Sequence, residues 1–142
     1  MSKLFDSGPL LDGPAAVFFA EQRAVTLATV NPDGTPHIAP VSPVLDLDRI
    51  VFATEGNTVK VRNLWGNDAV AFSADAYDED WSKLRSVIVF GRAQIIERGF
   101  EWERARNLLY EKYPQYPTEA PIEEGSTVIV DVRPDRIVTW GF

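Results

Sequence analysis

The chain of 142 residues contains no cysteine and only one histidine, His37. Without cysteine there is no disulfide, no thiolate nucleophile and no cysteine-ligated metal. A single histidine also leaves too few nitrogen ligands for an ordinary transition-metal site, so no metal is expected. A serine hydrolase would need a nucleophile near His37, but the sequence has no G-x-S-x-G elbow. Catalysis by a cysteine or serine nucleophile or by a bound transition metal is therefore not expected.

Basic residues and long apolar runs are also scarce. Fourteen Lys and Arg against 21 Asp and Glu give a formal net charge of −7. Nucleic acid is not expected as a partner, because phosphate backbones are bound by a basic surface. The apolar run at 15–20 is too short to span a membrane, and the N-terminal residues do not resemble a signal peptide. We expect a cytoplasmic protein with no membrane partner.

What the chain does contain is the material of one globular core. Hydrophobic residues make up 45% of it and aromatic residues 11%, as in ordinary folded domains. A chain of this length is expected to bury about two-thirds of its unfolded surface. No internal repeat or linker divides it, so the sequence predicts a single domain over residues 1–142.

Short apolar segments separated by turn residues predict a mainly β fold with two or three helices, in the α+β class. A small antiparallel barrel fits this pattern, and a sandwich is the alternative. The N-P-D-G stretch at 31–34 has the pattern of a type I turn, and prolines in the segment that follows indicate a bulge or an unpaired edge. The predicted strands are 24–30, 35–45, 49–54, 68–77, 83–97 with a bend at Gly91, 126–132 and 136–142.

Three segments favour helices. The first begins near Pro14, and the clearest covers 100–113, where Trp102, Ala105, Leu109 and Tyr113 form an apolar stripe. The third covers 57–66, with Asn57 or Thr58 as N-cap. Its pattern predicts that Val59, Leu64 and Trp65 face the core.

Lys60 and Arg62 lie at the start of this third helix, where the helix dipole favours anions over cations. One explanation is that Glu55 pairs with Lys60 on a wet surface. The other is a bound phosphate, held by free N–H groups at the helix start and by the two cations. The sequence has no glycine-rich dinucleotide fingerprint or P-loop, so such a phosphate would have to be held in this way.

The acidic stretch at 75–81 is predicted to be a solvated loop between two long strands. It lacks the acid spacing and central glycine of a calcium loop. Trp81 at its end needs a surface to cover, in the core, in a partner subunit or in a ligand.

The chain resembles the flavin and deazaflavin oxidoreductases of the pyridoxamine 5'-phosphate oxidase-like, split β-barrel superfamily. The resemblance covers AVTLATVNPDGTPHIAPV, DRIVFATEGNTVKVRNLWGNDAVAFSAD and YDEDWSKLRSVIVFGRAQII. A first strand, the N-P-D-G turn, a strand ending in P-V, a strand ending in Thr, and K-x-R-N-L opening a helix come in the family's order. Within the superfamily the chain is most similar to a short branch that uses the deazaflavin coenzyme F420.

This resemblance implies an antiparallel split barrel, assembled as a homodimer with two cofactors at the subunit interface. Lys60 and Arg62 would hold the cofactor phosphate, with Thr54 and Asn63 nearby. Trp81 of the other subunit would close over the pocket. The residues implied to lie beside the tricyclic ring are His37, Ile38, Ala39, Pro40 and Val41, with Ala53 and Thr54 on a neighbouring strand.

Two departures from the family pattern separate this chain from the oxidase itself. Val59 precedes Lys60, where the oxidase places an arginine, and no arginine-rich substrate motif comes before the final VTWGF. Oxidation of pyridoxine phosphate is therefore not expected. The implied activity is hydride transfer between reduced F420 and a small organic acceptor, with the chemistry supplied by the cofactor.

Two alternatives stay open. The same fold can hold FMN, as an oxidase or a reductase, or it can be a non-catalytic module that binds flavin or haem. F420 carries an acidic tail that favours a basic exit groove, for which the candidates are Lys60, Arg62, Lys83 and Arg85. No side chain is assigned as a catalytic acid or base, and His37, the one histidine of the sequence, is the candidate for such a role.

Overall fold

The computed structural model describes residues 4–142, and their side chains from Gly8 onwards. In this range the chain forms eight strands, four α-helices and one 3-10 helix at Trp81–Lys83. The strands are β1 Leu4–Gly8, β2 Val25–Val30, β3 Pro36–Val41, β4 Val44–Asp46, β5 Arg49–Glu55, β6 Ala69–Ala76, β7 Arg85–Ile96 and β8 Thr127–Trp140. The helices are α1 Gly13–Glu21, α2 Val59–Gly66, α3 Phe100–Lys112 and α4 Tyr116–Glu119.

The strands form one antiparallel sheet in the order β3-β2-β6-β7-β8-β5-β4, and β1 pairs with the second half of β8. This is the mainly antiparallel β structure of a split barrel, as the sequence predicted. Strand β1 and helix α4 were not predicted. No helix in the described range is long and apolar enough to cross a membrane.

β8 is the spine of the sheet. It pairs with β7 along its whole length, and on its other edge first with β5 and then with β1. The prediction of two strands at 126–132 and 136–142 is wrong, because β8 is continuous. A register shift pairs Phe90 with Arg136 and Gly91 with Pro134, so Asp135 is the extra residue of a bulge.

Gly91 makes the predicted bend possible. A Cβ atom at this position would lie 2.5 Å from the Arg133 carbonyl oxygen and 2.9 Å from the Val132 Cγ1 atom. Real Cβ atoms do not approach backbone oxygens so closely. Only glycine therefore lets β7 and β8 stay paired through the bulge.

Two apolar clusters lie on opposite sides of the sheet. The larger one fills the barrel with inward side chains of β2, β5, β6, β7 and β8, closed at one end by Phe18 and Phe19 of α1. In the second, α3 packs against β5 and β8 through the predicted stripe of Trp102, Ala105, Leu109 and Tyr113. The Trp102 indole N–H donates to the Thr127 carbonyl at 3.1 Å.

The predicted strand at 35–45 is two strands, β3 and β4, separated by Ser42 and Pro43. β3 is the end strand of the sheet, as its prolines indicated. The Pro43 carbonyl accepts hydrogen bonds from the Lys112 ammonium and from the Tyr113 hydroxyl, both at 2.7 Å. These two bonds tie the corner after β3 to the end of α3.

We predict that Gly91→Ala destabilises the protein by about 1–3 kcal/mol, because the new methyl group must displace backbone of β8. The free energy of unfolding in urea measures the effect. Gly66→Ala is the matched control, since a Cβ atom there meets no atom within 4 Å. An equal effect of the two substitutions would contradict the packing explanation.

We predict a pH-dependent stability from Lys112. Burial, and second the charge of Arg23, lower its pKa to about 8 from the ordinary value of 10.5. Between these values the unfolded chain binds a proton that the folded chain has lost, so this group makes stability rise with pH. The unfolding free energy of the native protein, relative to Lys112→Met, is expected to increase from pH 7.5 to about 9.5. A constant difference over this range would contradict the assignment.

Candidate functional site

Helix α2 begins without a side-chain cap. Thr58 occupies the N-cap position with extended backbone, at φ −81° and ψ 160°, but its side chain makes no capping hydrogen bond to the helix. The hydroxyl donates instead to the Glu55 carbonyl at 3.0 Å. The first N–H groups of a helix have no intrahelical acceptor. This end of α2 therefore presents free donors and the positive end of the helix dipole.

Lys60 and Arg62 lie on different sides of α2. Helical residues that are two positions apart in the sequence lie about 200° apart around the helix axis. Lys60 is half-buried, between Asn63 and Leu64 as seen around the helix, and both of these are buried. Arg62 is exposed. The two cations therefore approach the helix start from opposite directions.

Neither cation has a counter-ion in the part of the chain that the structure describes. No ion pair there involves Lys60 or Arg62, so the predicted surface pair of Glu55 with Lys60 does not form. Burial lowers the pKa of Lys60 below its ordinary value of 10.5. A half-buried ammonium without a partner is costly, and a bound anion would remove that cost.

Asn63 holds α2 in place. Its side chain is buried, and its amide Nδ2 donates to the Thr29 hydroxyl at 3.0 Å and to the Asn31 side-chain oxygen at 2.9 Å. Both amide hydrogens are thus used inside the protein. These two bonds connect α2 to β2 and to the N-P-D-G turn.

The core face of α2 differs in part from the prediction. Leu64 is buried as expected, but Val59 and Trp65 are exposed, and the prediction for these two is wrong. Val61 is the fully buried residue instead. The cause is the rotation of α2 that Asn63 fixes, which turns 61 and 64 toward the barrel.

A groove runs between α2 and the N-P-D-G turn. On the turn, Gly34 N–H donates to the Asn31 carbonyl at 2.8 Å, which confirms the predicted turn. The groove has two adjoining parts of about 390 and 440 Å³. Sequence reasoning missed it, because only tertiary packing brings the turn beside the helix. Its walls are Val30, Asn31, Pro32, Asp33 and Gly34 on one side, and Val59, Arg62, Asn63, Gly66 and Asn67 on the other.

The residues implied to lie beside the ring alternate along β3. His37 and Ala39 are half-buried and Val41 is buried, whereas Ile38 and Pro40 are exposed. Adjacent strand residues point to opposite faces, so these five residues cannot all line one pocket of a single chain. The first three turn toward the barrel, and the other two point away from it.

Ala53 and Thr54 are half-buried near the end of β5, which leads into α2. β5 pairs with β8 and β4 and is not a hydrogen-bonded neighbour of β3. The expectation that Ala53 and Thr54 lie on a strand that neighbours β3 is therefore wrong, since β3 and β5 do not pair in the sheet. Only residues 56–58 separate the end of β5 from the start of α2.

Trp81 lies at the far end of the β6–β7 hairpin from α2. Its side chain is 58% exposed, and its indole N–H donates to the Tyr77 hydroxyl at 3.3 Å. The predicted loop at 75–81 is mostly exposed, as expected. β6 alone spans about 23 Å from Ala69 to Ala76. Trp81 therefore cannot reach the start of α2 in its own chain.

The same distance separates Lys83 and Arg85 from α2. The Arg85 guanidinium lies over the Phe18 ring, 4.7 Å from its centroid, at the end of the barrel that α1 closes. Within one chain the four basic residues therefore do not line a common exit groove. Arg62 is the one of the four that borders the groove beside α2.

The outer face of β3, β2, β6 and β7 carries exposed apolar side chains in the described range, and at its β7 edge the Arg136 guanidinium lies 5.6 Å from the Phe90 ring centroid. Two rows cross the four strands without a charged residue. Ile38 is 67% exposed and Phe90 is 40% exposed. Patches of this kind on a folded protein mark interaction surfaces. We call this surface the outer sheet face; its rows are Ile38, Ala28, Ala71 and Phe90, and Pro40, Thr26, Ser73 and Ile88.

Comparison with known proteins places this geometry in a family. The family model described as pyridoxamine 5'-phosphate oxidase matches residues 12–141. A 5a,11a-dehydrotetracycline/5a,11a-dehydrooxytetracycline reductase of Streptomyces rimosus subsp. rimosus is 33% identical over 120 residues, which cover 81% of this chain and 72% of the relative.

Solved structures share the fold. A structure named F420 reductase is 27% identical with a TM-score of 0.72, and the match covers 89% of this chain and 97% of that one. The haem storage protein HutZ of Vibrio cholerae is 17% identical with a TM-score of 0.77, and the match covers 94% and 96%. The second likeness concerns the fold alone. The chain belongs to the pyridoxamine 5'-phosphate oxidase family, whose members are oxidoreductases with flavin-type cofactors and a split β-barrel fold.

Proposed function

We propose that this protein is a homodimeric, F420-dependent reductase that transfers a hydride from the reduced deazaflavin to a small organic acceptor. FMN in the same position is the alternative. The observation that carries the proposal is the uncapped start of α2 beside Lys60, a half-buried cation without a counter-ion in the described range. The reductase relative and the F420 reductase structure support the choice of chemistry.

The residues at the start of α2 fit the phosphate of such a cofactor. Free backbone N–H groups and the helix dipole favour an anion at this position. Lys60 adds a point charge from the barrel side, and Arg62 lies on the opposite side of the helix, toward the groove. Thr54 is the penultimate residue of β5, the strand that leads to this site, and Asn63 keeps α2 from rotating away from it.

The bound cofactor supplies the hydride chemistry, and the protein binds it, orients it and excludes water. We assign the inward residues of β3, His37, Ala39 and Val41, to the wall beside the ring. The corner after β3 is held by the two hydrogen bonds to the Pro43 carbonyl, which keep this strand in place. No side chain is assigned here as acid or base.

The outer sheet face is the proposed contact between two copies of the chain. Ile38 and Pro40, the β3 residues that point away from the barrel, lie on this face. A second copy would cover it and would also bring its own Trp81 to a site that the first copy's Trp81 cannot reach. Dimerisation would therefore explain how the inward residues of β3 (His37, Ala39 and Val41) and its outward residues (Ile38 and Pro40) could both contact a cofactor, because a cofactor at the interface would have access to both faces of this strand.

The proposed acceptor is an organic molecule with an electron-poor double bond. The reductase relative is named for 5a,11a-dehydro compounds, whose name denotes an additional carbon–carbon double bond. A hydride added to one carbon of the bond and a proton from solvent added to the other would give the saturated product. The oxidised cofactor is the second product.

We predict that Lys60→Met weakens binding of both F420 and FMN by about 10–100-fold, the loss of one charge-assisted contact to a phosphate. Fluorescence titration of the purified protein measures both affinities. F420 is expected to bind the native protein more tightly than FMN does. The reverse order would transfer the proposal to the FMN alternative.

Arg106→Gln is the matched control for loss of a cation. Arg106 lies on α3, with its guanidinium 5.4 Å from the Trp102 ring centroid, on the other side of the sheet from the barrel. The Arg106→Gln substitution is expected to leave the affinities for F420 and FMN unchanged. If the native protein binds neither cofactor, the proposed function is wrong, and Lys60 and Arg62 are surface charges.

We predict that Ile38→Glu dissociates the dimer, because it places two negative charges in an apolar contact. A rise of at least about 100-fold in the dissociation constant is expected. Analytical ultracentrifugation over a dilution series measures it. Leu47→Glu is the matched control, since Leu47 is 88% exposed and lies in the turn between β4 and β5, off the outer sheet face.

Weaker cofactor binding by Ile38→Glu is expected to accompany dissociation, since the proposed pocket needs both subunits. A native protein that is monomeric at all concentrations would contradict the proposed dimer. Dissociation with unchanged cofactor affinity would place the pocket within one chain.

A further inference from the structure

We propose that the groove between α2 and the N-P-D-G turn binds a carboxylate of the cofactor beyond its phosphate, with Arg62 as the residue that recognises it. This inference rests on the proposed function and extends it from the phosphate to the acidic tail. It assigns different tasks to Lys60 and Arg62, which the sequence pattern K-x-R-N treats as one unit.

The wall that α2 contributes to the groove is a single helical stripe. Residues 59, 62, 63, 66 and 67 recur at intervals of three and four, so they share one side of the helix. α2 rises about 12 Å over its eight residues. If the phosphate of a ligand binds at the start of α2, the groove along this side of the helix can therefore hold the part of the ligand beyond its phosphate.

Arg62 is the positively charged residue that borders the groove. Lys60 is not among the groove residues, because it lies on the barrel side of α2. Arg62 borders both parts of the groove and forms no ion pair with a described residue. Its planar fork matches the two oxygens of a carboxylate.

The amide groups of the groove are largely engaged. The Asn31 side-chain oxygen accepts from Asn63, and its Nδ2 donates to the Thr35 hydroxyl at 3.1 Å. The Asn67 side-chain oxygen accepts from the Ala69 N–H at 3.0 Å. These contacts shape the walls, so recognition of a charged ligand group falls to Arg62.

Asp33 limits how much negative charge the groove accepts. Its carboxylate accepts hydrogen bonds from the Thr35 hydroxyl at 2.6 Å and from the Thr35 N–H at 3.0 Å, which lower its pKa. It therefore remains charged on the groove wall at neutral pH. We infer that the groove takes one carboxylate beside Arg62, with the rest of an acidic tail directed to solvent.

The test compares two ligands that share a ring and a phosphate but differ in the tail. One is F420, and the other is the same deazaflavin with a methyl ester on its phosphate in place of the tail, so that both ligands carry a phosphodiester of one negative charge. Fluorescence titration gives the dissociation constants for the native protein, Lys60→Met, Arg62→Met and Asp33→Asn. This readout does not depend on turnover or on knowing the acceptor.

Lys60→Met is expected to weaken both ligands by a similar factor, because both carry the phosphate. Arg62→Met is expected to weaken F420 about 5–10-fold and the methyl ester less than twofold, since only F420 has a carboxylate for the guanidinium. Asp33→Asn is expected to tighten F420 about twofold and to leave the methyl ester unchanged. Higher salt is expected to reduce the effects on F420.

The failures of the two proposals are distinguishable. If Arg62→Met weakens both ligands equally, Arg62 holds the phosphate and the groove inference is wrong, while the proposed function stands. If Arg62→Met affects neither ligand but Lys60→Met affects both, the groove does not bind the tail, and again only the groove inference is wrong. If neither ligand binds the native protein, the proposed function itself is wrong. Arg62→Lys keeps the charge without the fork and is expected to recover part of the F420 affinity.

Discussion

The arrangement of the candidate site depends on one buried amide. Asn63 donates to Thr29 on β2 and to Asn31 on the turn after it, and these bonds fix how α2 is rotated on the barrel. A helix of eight residues has little stability of its own, so its position is set by such tertiary contacts. With Asn63 facing the turn, Lys60 faces the barrel and Arg62 faces the groove. Loss of the amide would alter all three features together.

The sheet separates what is structural from what is available for binding. Barrel side chains fill one face, and α3 with its tryptophan covers the β5–β8 part of the other. On the outer sheet face of β3, β2, β6 and β7, Ile38 stays exposed in the described range and Phe90 lies beside the Arg136 guanidinium. β3 belongs to both regions, since it is an end strand whose two faces turn toward the barrel and toward the outer sheet face. A cofactor at a subunit interface would use this strand from both sides.

An anion site in a protein of net charge −7 has to act locally. Charges are screened over about 8–10 Å at physiological salt, so the acidic surface elsewhere matters little at the start of α2. Backbone N–H groups and one half-buried lysine are short-range donors that suit this situation. The deazaflavin and flavin alternatives would share the phosphate end at this position, and they would differ in the tail, which we propose is bound in the groove beside Arg62.

The sequence by itself determined the segments, the turn and the family. Periodicity predicted most of the strands and the stripe of α3, because side-chain burial follows the period of each element. Periodicity wrongly joined β3 to β4 across Pro43 and wrongly divided β8 at Pro134, because a proline looks the same in the sequence whether or not a strand ends there. In the structure, pairing with β7 carries β8 through Pro134. Only the tertiary structure decided which sides of α2 Lys60 and Arg62 occupy, and that the turn forms a groove with it. Those features depend on contacts between residues more than 30 positions apart, such as Asn63 and Thr29, which no local pattern encodes.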